Sequence, residues 1–356
     1  MKIGIYCTNN LIYPVPSGTI YANMSVAGNL ADELTEIGHD VTFFAPEGTQ
    51  TKANLESFGM KPFSDQSVQK EFAQENGSYH YENLMLIKTM NYMVEHGFDL
   101  LHCHTRPYSI IEFAPLVPNL TTVITIHDPI TARAYDTLHK YNQFQNLHFV
   151  SLSISQRTPQ PKVQWAGNVY NGIDTSAWNF SKNPGQYLLY VGRIIPEKGV
   201  DTAIQVALKT GLPLKIAGTL YDGMEEFFDT KIRPFLGNTI EYLGGVSPTE
   251  LSDLYEHAIA LINPIRWEEP FGLVMIEAMA SGTPVISTNN GSVSEIVIHG
   301  KTGFIANDPE NIDEISGFVN RISEINRNNC RDHVVNNFSR KAMAQNYVNL
   351  YSKIQI

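Results

Sequence analysis

The sequence is poor in cysteine and has no long apolar run. Its three cysteines, Cys7, Cys103 and Cys330, are far apart and form no Cys-x-x-Cys pair. That spacing supports neither a disulfide framework nor a structural zinc site. The apolar run at Lys2–Cys7 is too short for a signal peptide, and no stretch reaches the about 18 apolar residues that a membrane-spanning helix needs. We therefore expect a cytoplasmic protein without a transmembrane segment.

Positive charge is also scarce. The chain carries 25 Lys and Arg against 36 Asp and Glu, which gives a formal net charge of −11. A protein that neutralises many phosphates needs a basic surface, so we expect no nucleic-acid partner and no strong attraction to an anionic membrane. A local basic patch and a peripheral membrane contact are both compatible with this balance.

Several nucleotide and metal motifs are missing. No two of the 25 glycines are spaced as Gly-x-Gly, so the dinucleotide fingerprint is absent. Gly300-Lys301-Thr302 resembles the end of a phosphate loop, but Glu295 occupies the position of that loop's first glycine. The sequence also lacks Asp-x-Asp, His-Glu-x-x-His and Gly-x-Ser-x-Gly. These absences weigh against metal-dependent sugar transfer, zinc hydrolysis and esterase chemistry, and we expect no metal or other cofactor.

Short apolar runs alternate with segments of helical period, which predicts parallel sheets covered by helices. The length of 356 residues suggests about two domains. The predicted strands of the first half are Lys2–Cys7, Val41–Ala45, Leu100–Cys103, Thr122–Ile126 and Phe149–Ile154. Those of the second half are Tyr187–Val191, Leu214–Ala217, Ile240–Leu243, Ala258–Ile262 and Val285–Ser287.

A polar stretch rich in turn residues, which ends at Gly185, predicts a domain boundary. We assign residues 1–175 to an N-terminal Rossmann-like domain that binds the acceptor of a transfer reaction, and residues 176–337 to a C-terminal Rossmann-like domain. Residues 338–356 are predicted to form a helix that packs back on the first domain. Helices of the second domain are predicted from Val200, near Met224–Phe228, from Pro248 and from Phe271.

Two cations follow the predicted strand Tyr187–Val191. Arg193 and Lys198 flank a turn that contains Pro196, and a predicted helix begins at about Val200. Two positive side chains beside a helix N-terminus form a strong site for a diphosphate, because charge-assisted hydrogen bonds and aligned backbone dipoles act together. The alternative interpretation is a solvated Arg/Lys pair on a surface loop.

Two carboxylates belong to the next predicted strand-helix segment. Glu269 precedes Pro270, which suits the first turn of a helix, and Glu277 lies inside that helix before Gly282 ends it. Each carboxylate can accept hydrogen bonds from hydroxyls of one long ligand. The alternative is that Glu269 is a favourable charge near a helix N-terminus and Glu277 a half-buried ion-pair partner.

These segments together resemble glycosyltransferase family 4. The resemblance rests on Val191-Gly192-Arg193, on Pro196-Glu197-Lys198-Gly199, on the pair Glu269 and Glu277, and on the segments 291–297 and 299–304. It extends to Thr125-Ile126-His127-Asp128, to the segment 169–174 and to Phe338-Ser339. It implies the α/β GT-B fold, in which two doubly wound Rossmann-like domains face each other across a cleft. It also implies a retaining, metal-independent transfer of a hexose from a nucleotide diphosphate sugar, with a UDP-sugar favoured over a GDP-sugar.

The resemblance implies roles for individual residues. Arg193 and Lys198 would hold the donor diphosphate and stabilise the negative charge that develops on it. Glu269 would accept hydrogen bonds from the donor sugar, and Glu277 from the ribose. His127 would bond a hydroxyl of the reacting sugar, the alternative being a core histidine at a strand end. Further donor contacts would come from Gly18, Gly192, Val246, Phe271, Gly272 and Leu273.

The predicted acceptor residues are His104, Arg106 and Arg157, which follow predicted strands of the first domain. His102 and His104 lie on one face of a strand and could suggest a metal pair, but we favour packing for one and a cleft position for the other. The acceptor would be a glycan, a lipid-linked molecule or a small molecule. A nucleotide-sugar epimerase of the same fold and a non-catalytic sugar-binding protein are the alternative functions.

Overall fold

The computed structural model describes residues 1–16, 21–105, 107–130, 136–183 and 185–354. The chain divides into two compact units, one of Met1–Gly172 with Arg340–Ile356 and the other of Ile173–Ser339. The boundary predicted between residues 175 and 176 lies three residues beyond this division, which falls after residue 172.

The described part of the first unit is built on a seven-stranded sheet whose strands pair in parallel. The strands are β1 (Lys2–Tyr6), β2 (Asp40–Phe44), β3 (Asn54–Glu56), β4 (Leu100–Cys103), β5 (Thr121–Ile126), β6 (Leu147–Ser151) and β7 (Trp165–Asn168). Their order across the sheet is β3-β2-β1-β4-β5-β6-β7. The winding therefore reverses between β1 and β4, where open parallel sheets form a ligand crevice at the carboxyl ends of the strands.

Helices of the first unit cover this sheet. Those that precede the second unit in the chain are α1 (Ala22–Glu36), α2 (Gln66–Glu71), α3 (Gly77–Glu95) and α4 (Pro107–Phe113). The long helix α3 buries Met85, Met90 and Met93 in a hydrophobic cluster that also contains Leu101 and Ile124. One face of the sheet is thus covered by apolar side chains of α3.

The second unit has a six-stranded parallel sheet in its described residues. The strands are β8 (Tyr187–Val191), β9 (Leu214–Ala217), β10 (Ile240–Gly244), β11 (Ala258–Asn263), β12 (Val285–Thr288) and β13 (Gly303–Ala306). Their order is β10-β9-β8-β11-β12-β13, so the winding reverses between β8 and β11. The helices are α5 (Val200–Thr210), α6 (Glu225–Lys231), α7 (Pro248–Glu256), α8 (Leu273–Ala280), α9 (Val293–Ile296), α10 (Ile312–Asn320) and α11 (Arg327–Asn337).

The predicted strands all overlap observed ones, and the α/β fold class is confirmed. The start of α8 was predicted wrongly. This helix begins at Leu273 rather than at Phe271, because Gly272 adopts a left-handed conformation with φ of 81° and interrupts the helical backbone. Pro270 therefore lies in the loop before the helix and not in its first turn.

The last helix, α12 (Arg340–Lys353), belongs to the first unit. The Arg340 guanidinium pairs with Glu33 of α1 at 2.9 Å, and the side chains of Tyr347 and Tyr351 are fully buried. Where the second unit begins and ends, its backbone is tied together: Ile173 bridges to Ser339, and the Ile173 amide donates to the Phe338 carbonyl at 2.9 Å.

Candidate active site

Arg193 and Lys198 both follow β8, one of the two strands at the switch point of the second unit. Residues 196–198 form a single 3₁₀ turn, and α5 begins directly after Gly199. Gly199 has φ of 72°, and a Cβ there would lie 2.1 Å from the carbonyl oxygen of Pro264. Only glycine fits this position, so the sequence Lys198-Gly199 places the lysine at the carboxyl edge of the sheet.

The Lys198 ammonium forms an ion pair with Glu269, which follows β11 on the other side of the switch point. Nζ of Lys198 lies 2.5 Å from Oε2 of Glu269, and the two side chains are only 16% and 11% exposed. The indole N–H of Trp267 donates to the same carboxylate oxygen at 3.0 Å. The carboxylate is therefore oriented by two donors and sheltered from solvent.

Trp267 also brings the two cations together. Nζ of Lys198 lies 4.4 Å from the centre of a Trp267 ring, and Cζ of Arg193 lies 5.8 Å from it. The Arg193 guanidinium also lies 5.5 Å from the ring of Tyr221. Cation–π contacts of this kind stabilise a positive side chain without neutralising it. The predicted pair of cations thus converges on one indole next to one carboxylate.

Arg266 holds the turn that carries Lys198, a role that the sequence analysis missed. Its guanidinium donates to both oxygens of Asp201 at 2.8 and 3.0 Å and to the carbonyl of Pro196 at 2.6 Å. Its backbone amide donates to the carbonyl of Glu197 at 2.8 Å. The end of β11 is thereby fastened to the loop after β8. In the sequence, the sign of this role is the position of this arginine directly before Trp267.

The loop that carries Glu269 is held by the turn before α9. The amide of Gly291 donates to the side chain of Glu268 at 2.7 Å, and the amide of Ser292 donates to the carbonyl of Glu269 at 2.9 Å. A Cβ at Gly291 would lie 2.3 Å from backbone atoms of Glu269, so the two loops can approach this closely only with glycine there. This contact gives a structural reason for the Gly291-Ser292 part of the family resemblance.

Glu269 lies in the loop before α8, and so do the predicted donor contacts Phe271 and Gly272, whereas Leu273 begins the first turn of that helix. A Cβ built on Gly272 would lie 3.2 Å from Cγ of Glu269. The first amides of a helix have no intrahelical acceptor, so this turn can donate to a ligand. Phe271 is buried, and its ring packs edge-on against Phe338 with centroids 5.9 Å apart.

Glu277 lies within α8 and accepts a hydrogen bond from the Tyr255 hydroxyl at 3.1 Å. Burial raises the pKa of Glu277 to about 7. No ion pair involves Glu277 in the part of the chain that the structure describes. The predicted alternative of an ion-pair partner is therefore not supported, and Glu277 is a buried carboxyl group whose pKa lies above its usual value.

Gly192 and Val246 lie at the carboxyl ends of β8 and β10. A Cβ built on Gly218, after β9, would lie 1.8 Å from the carbonyl oxygen of Gly192, so these two loops touch through their backbones. Val246 is partly exposed in the turn between β10 and α7. Both residues thus belong to the sheet edge that carries Arg193 and Lys198.

In the first unit, His127 follows β5 and is partly exposed, whereas His104 follows β4 and is fully buried. Nδ1 of His104 lies 2.9 Å from Nε2 of His127. Burial lowers the pKa of His127 to about 3, so this imidazole is neutral at physiological pH. The complete burial of His104 contradicts its predicted place on a cleft surface, because its ring packs between neighbouring side chains.

Gln156 positions the backbone around His127, which the sequence analysis also missed. Its side-chain amide donates to the carbonyls of Ile126 and Asp128, each at 2.9 Å. Arg157, its neighbour and a predicted acceptor contact, donates to Ser151 at 2.7 Å and lies 5.8 Å from the Trp165 ring. Its acceptor role stays a prediction.

Two predicted contacts, Gly18 and Arg106, lie outside the described residues.

The suggestion of a metal at His102 and His104 is not supported, because the ring nitrogens of His102 lie 2.8 Å from the hydroxyls of Tyr351 and Thr125. Within the described ranges, metal-like spacing occurs only for Asp253, Glu256 and His257 at the end of α7. None of the described helices is both long enough and apolar enough to cross a membrane.

Two family models match this chain over complementary ranges. The model for glycosyl transferases group 1 matches residues 174–341, and the model for glycosyltransferase family 4 matches residues 25–177. An uncharacterized glycosyltransferase of Methanocaldococcus jannaschii is 31% identical over 301 residues, which is 71% of this chain and 75% of the relative.

Other curated relatives match over a shorter range. A glycogen synthase of Mycobacterium tuberculosis is 37% identical over 147 residues, or 38% of this chain and 34% of the relative. A lipopolysaccharide 1,2-N-acetylglucosaminetransferase of Salmonella typhimurium is 32% identical over 145 residues, or 38% of either chain. The match thus spans little more than a third of the length of these two proteins.

Solved structures resemble the whole chain. A sucrose-phosphate synthase from Thermosynechococcus elongatus has a TM-score of 0.75 at 18% identity and covers 99% of both chains. An Anabaena protein in complex with UDP and glucose has a TM-score of 0.71 at 17% identity and also covers 99% of both chains. These likenesses confirm the fold, two Rossmann-like domains of the GT-B type. The family models and the Methanocaldococcus relative show that the chain belongs to glycosyltransferase family 4.

Proposed function

We propose that the protein is a retaining glycosyltransferase that moves a hexose from a nucleotide diphosphate sugar to an acceptor hydroxyl. A UDP-sugar is the favoured donor and a GDP-sugar the next. The observation that carries this proposal is the convergence of Arg193, Lys198 and Glu269 at the switch point of the second sheet. The relatives support it, since the Anabaena structure holds UDP and glucose, and an Arabidopsis starch synthase of similar fold holds ADP and acarbose.

Arg193 and Lys198 are proposed to bind the diphosphate. The Lys198 ammonium has three N–H donors, and its bond to Glu269 leaves donors for phosphate oxygens. Negative charge develops on the diphosphate as the bond between the sugar C1 and the phosphate oxygen breaks. Fixed cations in a partly desolvated site stabilise that charge more strongly than water does.

The proposed transfer takes place on one face of the sugar. The acceptor oxygen forms its bond to C1 on the face that the phosphate oxygen leaves, and that phosphate oxygen takes the acceptor proton. This route needs no protein nucleophile. The geometry of Glu269 agrees, because its carboxylate is held by Lys198 and Trp267 and is suited to accept hydrogen bonds from sugar hydroxyls.

Glu277 is proposed to accept hydrogen bonds from the ribose hydroxyls, and His127 to bond a hydroxyl of the transferred sugar. Both cations belong to the chain itself, so we propose that transfer needs no divalent metal, in keeping with the lack of an Asp-x-Asp motif. We further propose a cytoplasmic location and an acceptor that is a glycan, a lipid-linked molecule or a small molecule.

The first experiment is a donor screen. The purified protein is incubated in EDTA with UDP-, GDP-, ADP- and dTDP-sugars, and each reaction is followed by proton NMR. We expect release of one nucleoside diphosphate together with a sugar whose first-formed anomer matches that of the donor. The opposite anomer would overturn retention, and turnover that appears only with added Mg²⁺ would overturn metal independence. An isomerised nucleotide sugar would identify an epimerase, and binding of free sugar alone would identify a non-catalytic binding protein.

A further inference from the structure

Three histidines of the first unit form a buried row. The ring centres of His102 and His104 are 4.2 Å apart, and those of His104 and His127 are 5.1 Å apart. The ring of Tyr347 in α12 packs against His102 at 4.6 Å and against His104 at 6.2 Å. The row begins inside β4 and ends at His127, its partly exposed member. His104 is therefore the link between the core and His127.

The row is neutral. Burial lowers the pKa of His102 and of His127 to about 3, and burial together with these two neighbours lowers the pKa of His104 well below its usual value. Among the described residues, the titratable groups that face His104 are His102, His127, Tyr347 and, through the His104 carbonyl, the thiol of Cys7. No carboxylate or cation pairs with the three rings among the described residues. Each ring consequently carries one proton, on one of its two nitrogens.

Two arrangements of these protons satisfy the bond between His104 and His127. In one, Nδ1–H of His104 donates to Nε2 of His127, and the proton of His127 sits on Nδ1. In the other, Nε2–H of His127 donates to Nδ1 of His104, and the proton of His104 sits on Nε2. The distance of 2.9 Å fits both arrangements.

The surroundings of His104 distinguish the two. Its Nε2 is buried and has no hydrogen-bond partner in the described structure. The second arrangement would leave an N–H donor at this nitrogen without an acceptor, whereas the first leaves only an unused lone pair. An orphaned buried N–H is a rarer and more costly defect in proteins than an unused acceptor, so the first arrangement is the more stable.

We propose that His104 is a positioning residue that holds His127 in the tautomer protonated on Nδ1, so that His127 presents an N–H donor to an oxygen of the bound sugar. The proposal rests on the proposed function, which supplies the sugar. No hydrogen bond from a described residue occupies Nδ1 of His127, which is the nitrogen opposite the one that faces His104. His127 then acts as a hydrogen-bond donor, and its Nδ1 has no lone pair with which to act as a base.

The tautomer can be measured without any substrate. Two-bond proton–nitrogen spectra of the full chain with ¹⁵N-labelled histidine report which ring nitrogen carries the proton, and the spectrum of His127→Gln assigns the His127 signals. We expect His127 protonated on Nδ1 and His104 protonated on Nδ1 at pH 7. Protonation of His127 on Nε2 would overturn the proposal, whatever reaction the protein catalyses.

Two variants of His104 separate positioning from packing. In His104→Asn the side-chain amide replaces the Nδ1–H donor, and we expect His127 to keep its tautomer. In His104→Leu the donor is lost, so no hydrogen bond selects the tautomer of His127, and we expect a signal of the Nε2-protonated form to appear beside that of the Nδ1-protonated form. His80→Asn, at an exposed site on α3, is the matched control and should leave the His127 signals unchanged. A His104→Leu protein whose His127 tautomer population equals that of the wild type would contradict the proposal.

Kinetics then connect the tautomer with the reaction. We expect His104→Leu to raise the donor KM about 3- to 10-fold, the value of roughly one hydrogen bond, with a smaller change in kcat. His104→Asn should stay within about 2-fold of wild type. If the tautomer of His127 changes in His104→Leu but not in His104→Asn, and the donor KM is nevertheless equal in both variants, then His127 does not donate to the sugar. If the spectra agree but no nucleotide sugar is turned over, the proposed function fails and the tautomer assignment stands.

Discussion

The switch-point residues of the second unit carry formal charges, whereas the histidine row of the first unit is neutral. In the second unit the Lys198–Glu269 ion pair lies against Trp267, with Arg193 on the same indole. In the first unit, His104 and His127 meet through a hydrogen bond between uncharged rings. The carboxyl edge of the second sheet is thus suited to a charged ligand whose charge changes during a reaction. The carboxyl edge of the first sheet is suited to a neutral ligand whose hydroxyls are oriented by hydrogen bonds. The difference implies that substitutions in the second unit affect chemistry more than those in the first.

The largest effect is expected for Lys198→Ala. The variant loses one of the two cations at the proposed diphosphate site, so we expect kcat to fall about 10²- to 10³-fold, or about 3–4 kcal/mol, with a modest change in donor KM. Steady-state kinetics with the donor identified in the screen test this. Lys209→Ala, which removes an exposed lysine paired with Asp313, is the control. An unchanged kcat in Lys198→Ala would remove the contrast between the two units.

Arg266→Ala should destabilise the second unit. The change leaves Asp201, itself 29% exposed, without its bidentate partner, and it frees the carbonyl of Pro196. We expect the free energy of unfolding to fall by about 2–3 kcal/mol in urea titrations. The matched control is Arg321→Ala, whose ion pair with Glu324 is more than half exposed and should contribute little to stability because solvent screens it. Equal losses in the two variants would show that the Arg266 clamp is no more than a surface contact.

Glu277→Gln should stabilise the fold while weakening nucleotide binding. Burial raises the pKa of Glu277 to about 7 from the usual 4.5, so the unfolded state loses this proton at lower pH than the folded state. The stability of the wild type therefore falls as pH rises from about 4.5 to about 7, and glutamine removes this dependence. We expect Glu277→Gln to gain on the order of 2 kcal/mol at pH 8 and little at pH 4. Glu241→Gln, at an exposed site on β10, serves as the control; a Glu277→Gln gain that is the same at both pH values would contradict the assignment.

The smallest effect is expected for the pH dependence of His127. With a pKa of about 3, this residue stays neutral between pH 5 and 8, so His127→Gln should lower kcat/KM by a similar factor at every pH in that range. In the wild type, the pH profile of kcat/KM should change slope near pH 7, and this change of slope should disappear in Glu277→Gln. Profiles of kcat/KM for the two variants test this, and a limb near pH 6.5 that only His127→Gln removes would reverse the comparison.

Much of the fold could be predicted from the sequence because buried parallel strands are short apolar runs. The strands at Leu100–Cys103 and Tyr187–Val191 were predicted with their observed bounds. The edge strand β3 has no apolar run, since only Leu55 of its three residues is hydrophobic, and it was missed. The helix α3 was missed as well, because its exposed face also carries apolar side chains, such as Leu84 and Ile87, which blur the helical period.

Members of the candidate site could be predicted where a charged side chain follows closely after a predicted strand, as Arg193 and Lys198 do. Arg266 and Gln156 were not predictable in this way. The main side-chain partner of Arg266 is Asp201, 65 positions earlier in the chain, and Gln156 donates to backbone carbonyls, which no sequence motif reveals. The burial of His104 depends on Tyr347, more than 200 positions further along the chain. Contacts of that separation leave no mark on the local pattern.

The bridge between Ile173 and Ser339 brings the two ends of the second unit side by side. The first unit, in contrast, is assembled from residues on both sides of that insertion, and its core includes the buried tyrosines of α12. A ribosome delivers the chain from its amino end, so all residues of the second unit have been synthesised before α12. The second unit is thus one continuous stretch of chain, whereas the first unit is completed only when its last helix joins residues that were synthesised before the second unit.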